Sequence, residues 1–232
     1  MTIAAALVAA DLALRRGLVR WNGSGAVPAP VAQAALTEQW LELRLGRDPA
    51  LARRVLARLP PRLARDVRDD VAAHGELARL TPPRPLSAFR VGAAAPAIEL
   101  RRFYAEAQRR SGVPWQVLAA VNYVESDFGR LREASVAGAQ GPMQFMPSTW
   151  AAYGRGDVHD SRQAILAAGR FLRAAGAPRA LRAALYRYNP SPAYVDAIVR
   201  LAGRIRRDPR AFLGFYARRL IVRTPAGYRR LN

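Results

Sequence analysis

The sequence contains no cysteine and no lysine, and only two of its 232 residues are histidine. Without cysteine there are no disulfides, no zinc–thiolate sites and no N-terminal cysteine to carry a lipid. His74 and His159 are too few to build a histidine-rich metal site, so no metal and no cofactor is expected. Acids are scarce as well: 17 against 37 basic residues, all of them arginine, for a formal net charge of +20. An arginine-only basic set reads most simply as the product of a GC-rich coding sequence. The surplus still attracts polyanions, such as wall polymers, anionic headgroups and nucleic acid. No zinc finger, basic zipper or RNA-recognition signature is present, so specific nucleic-acid recognition is not expected. No run of about 20 uninterrupted apolar residues exists to span a bilayer.

Four segments are expected along the chain. Residues 1–30 comprise an apolar start and a Gly/Pro linker (Asn22 to Pro30). Met1 to Ala10 lacks a basic leader and meets Asp11 after ten residues. It reads either as the tail of a longer export signal or as a helix continuing through Leu12, Leu14 and Leu18. Residues 31–95 form a helical extension and a proline-rich bridge. Its stripe is read as Leu36, Trp40 and Leu43, followed by an Asp48-Pro49 cap, a Pro60-Pro61 break, and Val67 and Val71 beyond it. Residues 96–207 hold a second run of helices, one over about 97–110. Asp160 caps another, and Ser191-Pro192 opens the last, with Val195, Ile198, Ala202 and Ile205 at helical spacing. Residues 208–232 are a basic tail in which only Leu220-Ile221-Val222 is strand-like. The fold class is mainly α.

Chemistry concentrates around Glu125-Ser126. Val113-Pro114 suits a helix start, because proline's missing N–H has no intrahelical partner there. Leu118, Val121 and Phe128 then mark one apolar face, and Gly129 is a good cap residue. Glu125 lies four residues after Val121 and three before Phe128, on that face or at its edge. A carboxyl among apolar neighbours loses hydration, and its pKa rises toward the range of a general acid. By itself the residue also fits a buried structural carboxylate. Asp127 is the tempting partner, but two helical positions set it ~200° around the axis.

Further on, Ser135 to Gly141 is a small, glycine-bearing loop that lets backbone approach a ligand. Gln144 offers both a carbonyl and an amide, a matched pair for an N-acetyl group, while Met143 and Phe145 read as core. Tyr188-Asn189 ends a helix before Pro190 and aims a phenol and an amide outward, unless the tyrosine merely caps the core. His159 reads as part of a structural turn.

Taken together, residues from about 113 to 205 resemble the catalytic domain of lytic murein transglycosylases of the SLT type. Three motifs carry the resemblance: Glu125-Ser126, Gly141-Pro142-Met143-Gln144 and Arg187-Tyr188-Asn189. Pro142 and Arg187 depart from the family's usual leucine and alanine. The region before the motifs and the bridge also look like those of actinobacterial members. The resemblance implies a goose-type-lysozyme-like fold and a single acid/base, Glu125. It implies that Ser126 and Ser135 position substrate or backbone, that Gln144 binds sugar, and that Tyr188 and Asn189 orient Glu125 and the N-acetyl group.

The implied reaction cleaves the bond between N-acetylmuramic acid and N-acetylglucosamine and leaves a 1,6-anhydro ring. The implied partner is the peptidoglycan glycan strand, with anionic wall polymers held by the arginines. The protein is expected to be a monomer and to act outside the cytoplasm. A hydrolase of the same fold, and a non-catalytic wall-binding protein, are the competing readings.

Overall fold

The structure, a computed structural model, describes residues 1–231. Among them are eleven α-helices and one two-stranded sheet, the mainly α architecture expected. The first helix, α1 (Ile3–Arg20), is capped by the Thr2 hydroxyl and buries Leu7, Leu14 and Leu18. After the Gly/Pro turn come α2 (Ala29–Arg47), the short α3 (Pro49–Leu56) and α4 (Pro61–Leu80). Asp48 caps α3 as expected, its carboxylate accepting from Leu51 N.

The stripe read on α2 is corrected. Trp40 is 40% exposed, and the buried face carries Glu38, Gln39, Glu42 and Leu45 instead. Apolar spacing misled because this face is packed by charge pairing, not by oil. Asp70 of α4, Arg204 and Arg218 meet it, with Arg218 Nη2 2.8 Å from both Glu42 Oε2 and Asp70 Oδ2. These two arginines are therefore structural rather than part of a solvated basic surface.

A proline-rich strap with one 3-10 turn (Leu86–Ala88) leads to α5 (Ala97–Ser111) and α6 (Trp115–Ser126). Instead of one buried face, α6 is buried nearly all round: Leu118, Ala119, Ala120 and Val121 are all fully buried. A helix apolar on every side belongs in the centre of a domain. Around it stand α7 (Pro147–Tyr153), α8 (Ser161–Ala174), α9 (Leu181–Tyr188), α10 (Pro192–Arg207) and α11 (Ala211–Ala217). Capping runs as the sequence suggested: Asp160 accepts from Gln163 N, and Ser191 accepts from Tyr194 N.

Packing joins both halves of the chain. Helix α10 lies along both α4 and α6, and α5 lies against α8. The main core draws on Leu14, Leu18, Val31 and Ala73 as well as on α5 to α11, while a smaller core under α3 gathers Leu7, Leu45, Leu59 and Leu63. The tail forms a hairpin of β1 (Ile221–Thr224) and β2 (Gly227–Arg230), paired antiparallel with Ile221 opposite Arg230. Only its first strand was legible as apolar sequence. No described helix is long and apolar enough to cross a membrane.

Candidate active site

Glu125 occupies the last turn of α6, where the chain leaves the helix abruptly. The exit uses three successive left-handed residues, Asp127 (φ 50°), Phe128 (φ 62°) and Gly129 (φ 86°), so the cap begins two residues before the expected Gly129. Burying Phe128 completely and stacking Tyr123 on it at 5.3 Å holds this costly backbone in place. Asp127 is not a partner for Glu125. Its carboxylate takes Arg130 Nη1 at 3.2 Å.

The Glu125 carboxyl is only partly accessible, and loss of hydration pushes its pKa up to about 7. The Tyr194 hydroxyl opposes that rise, donating to Glu125 Oε1 at 2.6 Å. Tyr194 was missed in the sequence. Its signal was its place: third residue of a Ser-Pro-capped helix, on the same stripe as Ile198, Leu201 and Ile205. That stripe points α10 at α6, and Tyr194 is the first residue on it.

Tyr188, expected with Asn189 to orient Glu125 and the N-acetyl group, makes no hydrogen bond to Glu125 among the described residues. Its hydroxyl donates to the Met143 carbonyl at 2.6 Å. It still lies close enough for the Glu125 charge to raise its own pKa, after the larger effect of burial. Asn189 caps α9 through its backbone N–H to Leu185 O, and its side chain is partly exposed. Arg187 is exposed.

Ser126 is fully buried, and its hydroxyl is engaged by backbone. Its hydroxyl donates to Pro142 O at 2.6 Å and accepts from Gly129 N at 2.8 Å. Asn122, one turn earlier, donates to the same carbonyl at 2.8 Å and accepts from Tyr104 at 2.6 Å. Two α6 side chains thus clamp the 141–144 turn against the helix that carries the acid. Asn122 and Tyr104 are further members that the motifs did not reveal.

The turn itself is sharply built. Gly141 has φ 74°, and a Cβ there would meet Val158 O at 2.1 Å, so no other residue fits. Gln144 follows at φ 49°, its amide nitrogen donating to Gly141 O at 3.0 Å. The side chain is partly exposed, and its carbonyl oxygen has no hydrogen-bond partner among the described residues. Met143 and Phe145 are core, as expected. Phe145, Trp150 and Tyr188 form a continuous aromatic wall with centroids 5.6 and 5.9 Å apart. Ser135 closes its own loop, accepting from Ala139 N at 3.0 Å, and the neighbouring Val136 is 93% exposed. His159 is exposed, and its N–H donates to Asp157 Oδ1 in a structural turn. Among the described residues no group of three or more His, Asp or Glu is arranged to hold a metal.

A mainly helical fold with one recessed glutamate at the end of a buried helix agrees with the lysozyme-like class that the motifs implied. More particularly, residues 102–201 match the family model of the transglycosylase SLT domain. Among curated proteins, the membrane-bound lytic murein transglycosylase F of Thiobacillus denitrificans is 38% identical over 74 residues. The match covers 32% of this chain and only 16% of that relative. No solved structure matches significantly.

Proposed function

We propose that this protein is a lytic transglycosylase that cleaves peptidoglycan between N-acetylmuramic acid and N-acetylglucosamine, with Glu125 as sole acid and base. The observation that carries the reading is the solitary, burial-shifted Glu125. With a pKa of about 7 it holds a proton near neutrality. Only burial and the Tyr194 hydroxyl act on it, and Asp127 is committed to Arg130. Ordinary glycosidases place two carboxyl groups ~5–9.5 Å apart, the second serving as nucleophile or as base for water. A site with one acid leaves the nucleophile to the substrate's own hydroxyl, with water as the competitor.

In the proposed sequence Glu125 gives its proton to the bridging oxygen, and the C1–O bond breaks. The resulting carboxylate then takes the proton of the muramic acid's C6 hydroxyl as that oxygen bonds to C1, closing a 1,6-anhydro ring and restoring the acid. Tyr194 holds the carboxyl in position through both steps. Gln144 and Asn189 offer amide groups to the substrate's N-acetyl groups. Ser126 acts through Pro142, and Ser135 shapes the loop before it. Residues 96–207 form the catalytic unit, and the helices of 31–95 and the tail buttress it. The exposed arginines hold anionic wall polymers. The relative's name places it at a membrane and on murein, which favours action outside the cytoplasm for this protein too.

Digestion of purified peptidoglycan followed by mass spectrometry tests the reading. Anhydro-ended fragments, lighter by one water than hydrated ones, are expected. Hydrated ends alone mean a hydrolase. No digestion at all means a wall-binding protein.

A further inference from the structure

A cavity of about 240 Å³ lies between α2, α4, the end of α6, the proline-rich strap and the C-terminal hairpin. From α6 it is lined by Tyr123, Val124 and Asp127, but not by Glu125, so it is separate from the site above. Its walls are apolar: Leu43, Leu77, Phe89, Leu131 and Val222.

The polar atoms at its inner end are already engaged. His74 Nδ1 lies 2.8 Å from the Asp70 carbonyl, which makes Nδ1 the protonated nitrogen, and Nε2 accepts from the Tyr123 hydroxyl at 3.2 Å. Burial, its largest influence, holds His74 down at about 4, so the ring is neutral. Glu42 is taken by Arg218 and Asp127 by Arg130. The Gln39 amide donates to Arg219 O and accepts from Arg219 N. What the interior offers an occupant is hydrocarbon.

The exposed lining is different. Thr81, Arg219 and Arg223 are the solvent-facing residues. Arg223 gives one N–H to Ala78 O. The Arg219 guanidinium makes no hydrogen bond or ion pair among the described residues. In size the space exceeds the ~150 Å³ that admits a benzene ring and falls below the ~300 Å³ where drug-sized pockets begin. It fits a slender group.

We propose that this cavity binds a single-chain amphipathic anion, its alkyl chain between α4 and the hairpin and its carboxylate or phosphate on Arg219. The source is either a free fatty acid or the chain of an anionic lipid. The proposal does not rest on the reaction assigned to Glu125, and its test uses no wall substrate.

Calorimetric titration of the full chain with hexanoate, octanoate and decanoate below their micelle concentrations should give one saturable site. Affinity should rise about 4-fold per added methylene until the chain outgrows the cavity. Leu77→Trp, which fills the space, should weaken decanoate at least 10-fold. Arg219→Glu, at an exposed position that leaves folding intact, should weaken octanoate at least 5-fold and leave 1-octanol unaffected. Co-sedimentation with phosphatidylglycerol vesicles in salt that screens the arginine surface, lost in Leu77→Trp, identifies lipid as the source. Fatty-acid binding without vesicle binding identifies the free acid. Absence of saturable binding, unchanged octanoate affinity in Arg219→Glu, or octanol binding as tightly as octanoate would each overturn the proposal.

Discussion

At the scale of single residues, the Glu125–Tyr194 pair sets what the site can do and at what pH. A general acid must hold its proton before the reaction, so activity should fall as pH rises through about 7. The Tyr194 hydroxyl favours the charged carboxylate and so pulls that pKa down against burial. Tyr194→Phe should therefore move the descending limb of the pH profile to higher pH, while lowering the maximal rate through poorer positioning. A limb that stays put or moves down would show that another group controls it. Glu125→Gln, close to isosteric, should cost about 10²–10⁴-fold in wall digestion with the melting temperature held within a degree or two of wild type. Wild-type digestion by that variant would remove Glu125 from the mechanism.

At the scale of elements, the end of α6 and the 141–144 turn form one unit, because Asn122 and Ser126 both bind the Pro142 carbonyl. Ser126→Ala leaves Pro142 O one donor but strands the buried Gly129 N–H, a loss of about 1–3 kcal/mol. A serine that touched sugar would instead raise KM with stability unchanged. Denaturation midpoints and kinetics measured on the same preparation separate the two. Gly141→Ala meets the Val158 carbonyl at a left-handed φ and should cost about 1–3 kcal/mol, with activity falling alongside because Gln144 shifts. The element scale also shows what the sequence could and could not convey. Helix starts were legible because Asp48, Asp160 and Ser191 cap them by local bonds that a sequence displays directly. The chain's exit from α6 was not. Phe128 adopts φ 62° only because tertiary packing fixes it, and nothing local predicts that. Glu125, Gln144 and Tyr188 could be found as motif members. The hydroxyl that bonds Glu125 comes from 69 residues away, and only the docking of α10 on α6 brings it there.

At the scale of the whole molecule, a buried ionic cluster binds the N-terminal helices to α10 and the segment that follows α11. Glu38, Glu42 and Asp70 face Arg204 and Arg218, with three acids against two guanidiniums. Such a cluster is neutral when it holds one proton. Burial accordingly raises Glu38 to about 7 and Glu42 to about 8, more than the two arginines lower them. Both values exceed the ordinary 4.5, so the folded state binds a proton that the unfolded chain releases. The stability tied to that proton is complete below pH 4.5 and is lost as pH rises through 7 and 8. The slope approaches about 1.4 kcal/mol per pH unit where the folded state holds one proton more than the unfolded chain. His74 acts in the opposite sense, since its pKa is lowered from 6.5 to about 4 and its contribution disappears only as pH falls through that range. Measuring urea midpoints between pH 6.5 and 9 therefore isolates the acids. Wild type should weaken from pH 6.5 to about 8 and level off above that, once the folded state has lost the proton as well. Glu42→Gln keeps an acceptor for Arg218 and leaves two acids against two arginines, so its stability should be nearly flat. Arg218→Met removes the partner of Glu42 and leaves Asp70 with Arg204 alone, at about 3–5 kcal/mol. An unchanged slope in Glu42→Gln would place the proton elsewhere, and the cluster would then be a fixed set of ion pairs rather than a titrating joint between the N-terminal helices and the domain that carries Glu125.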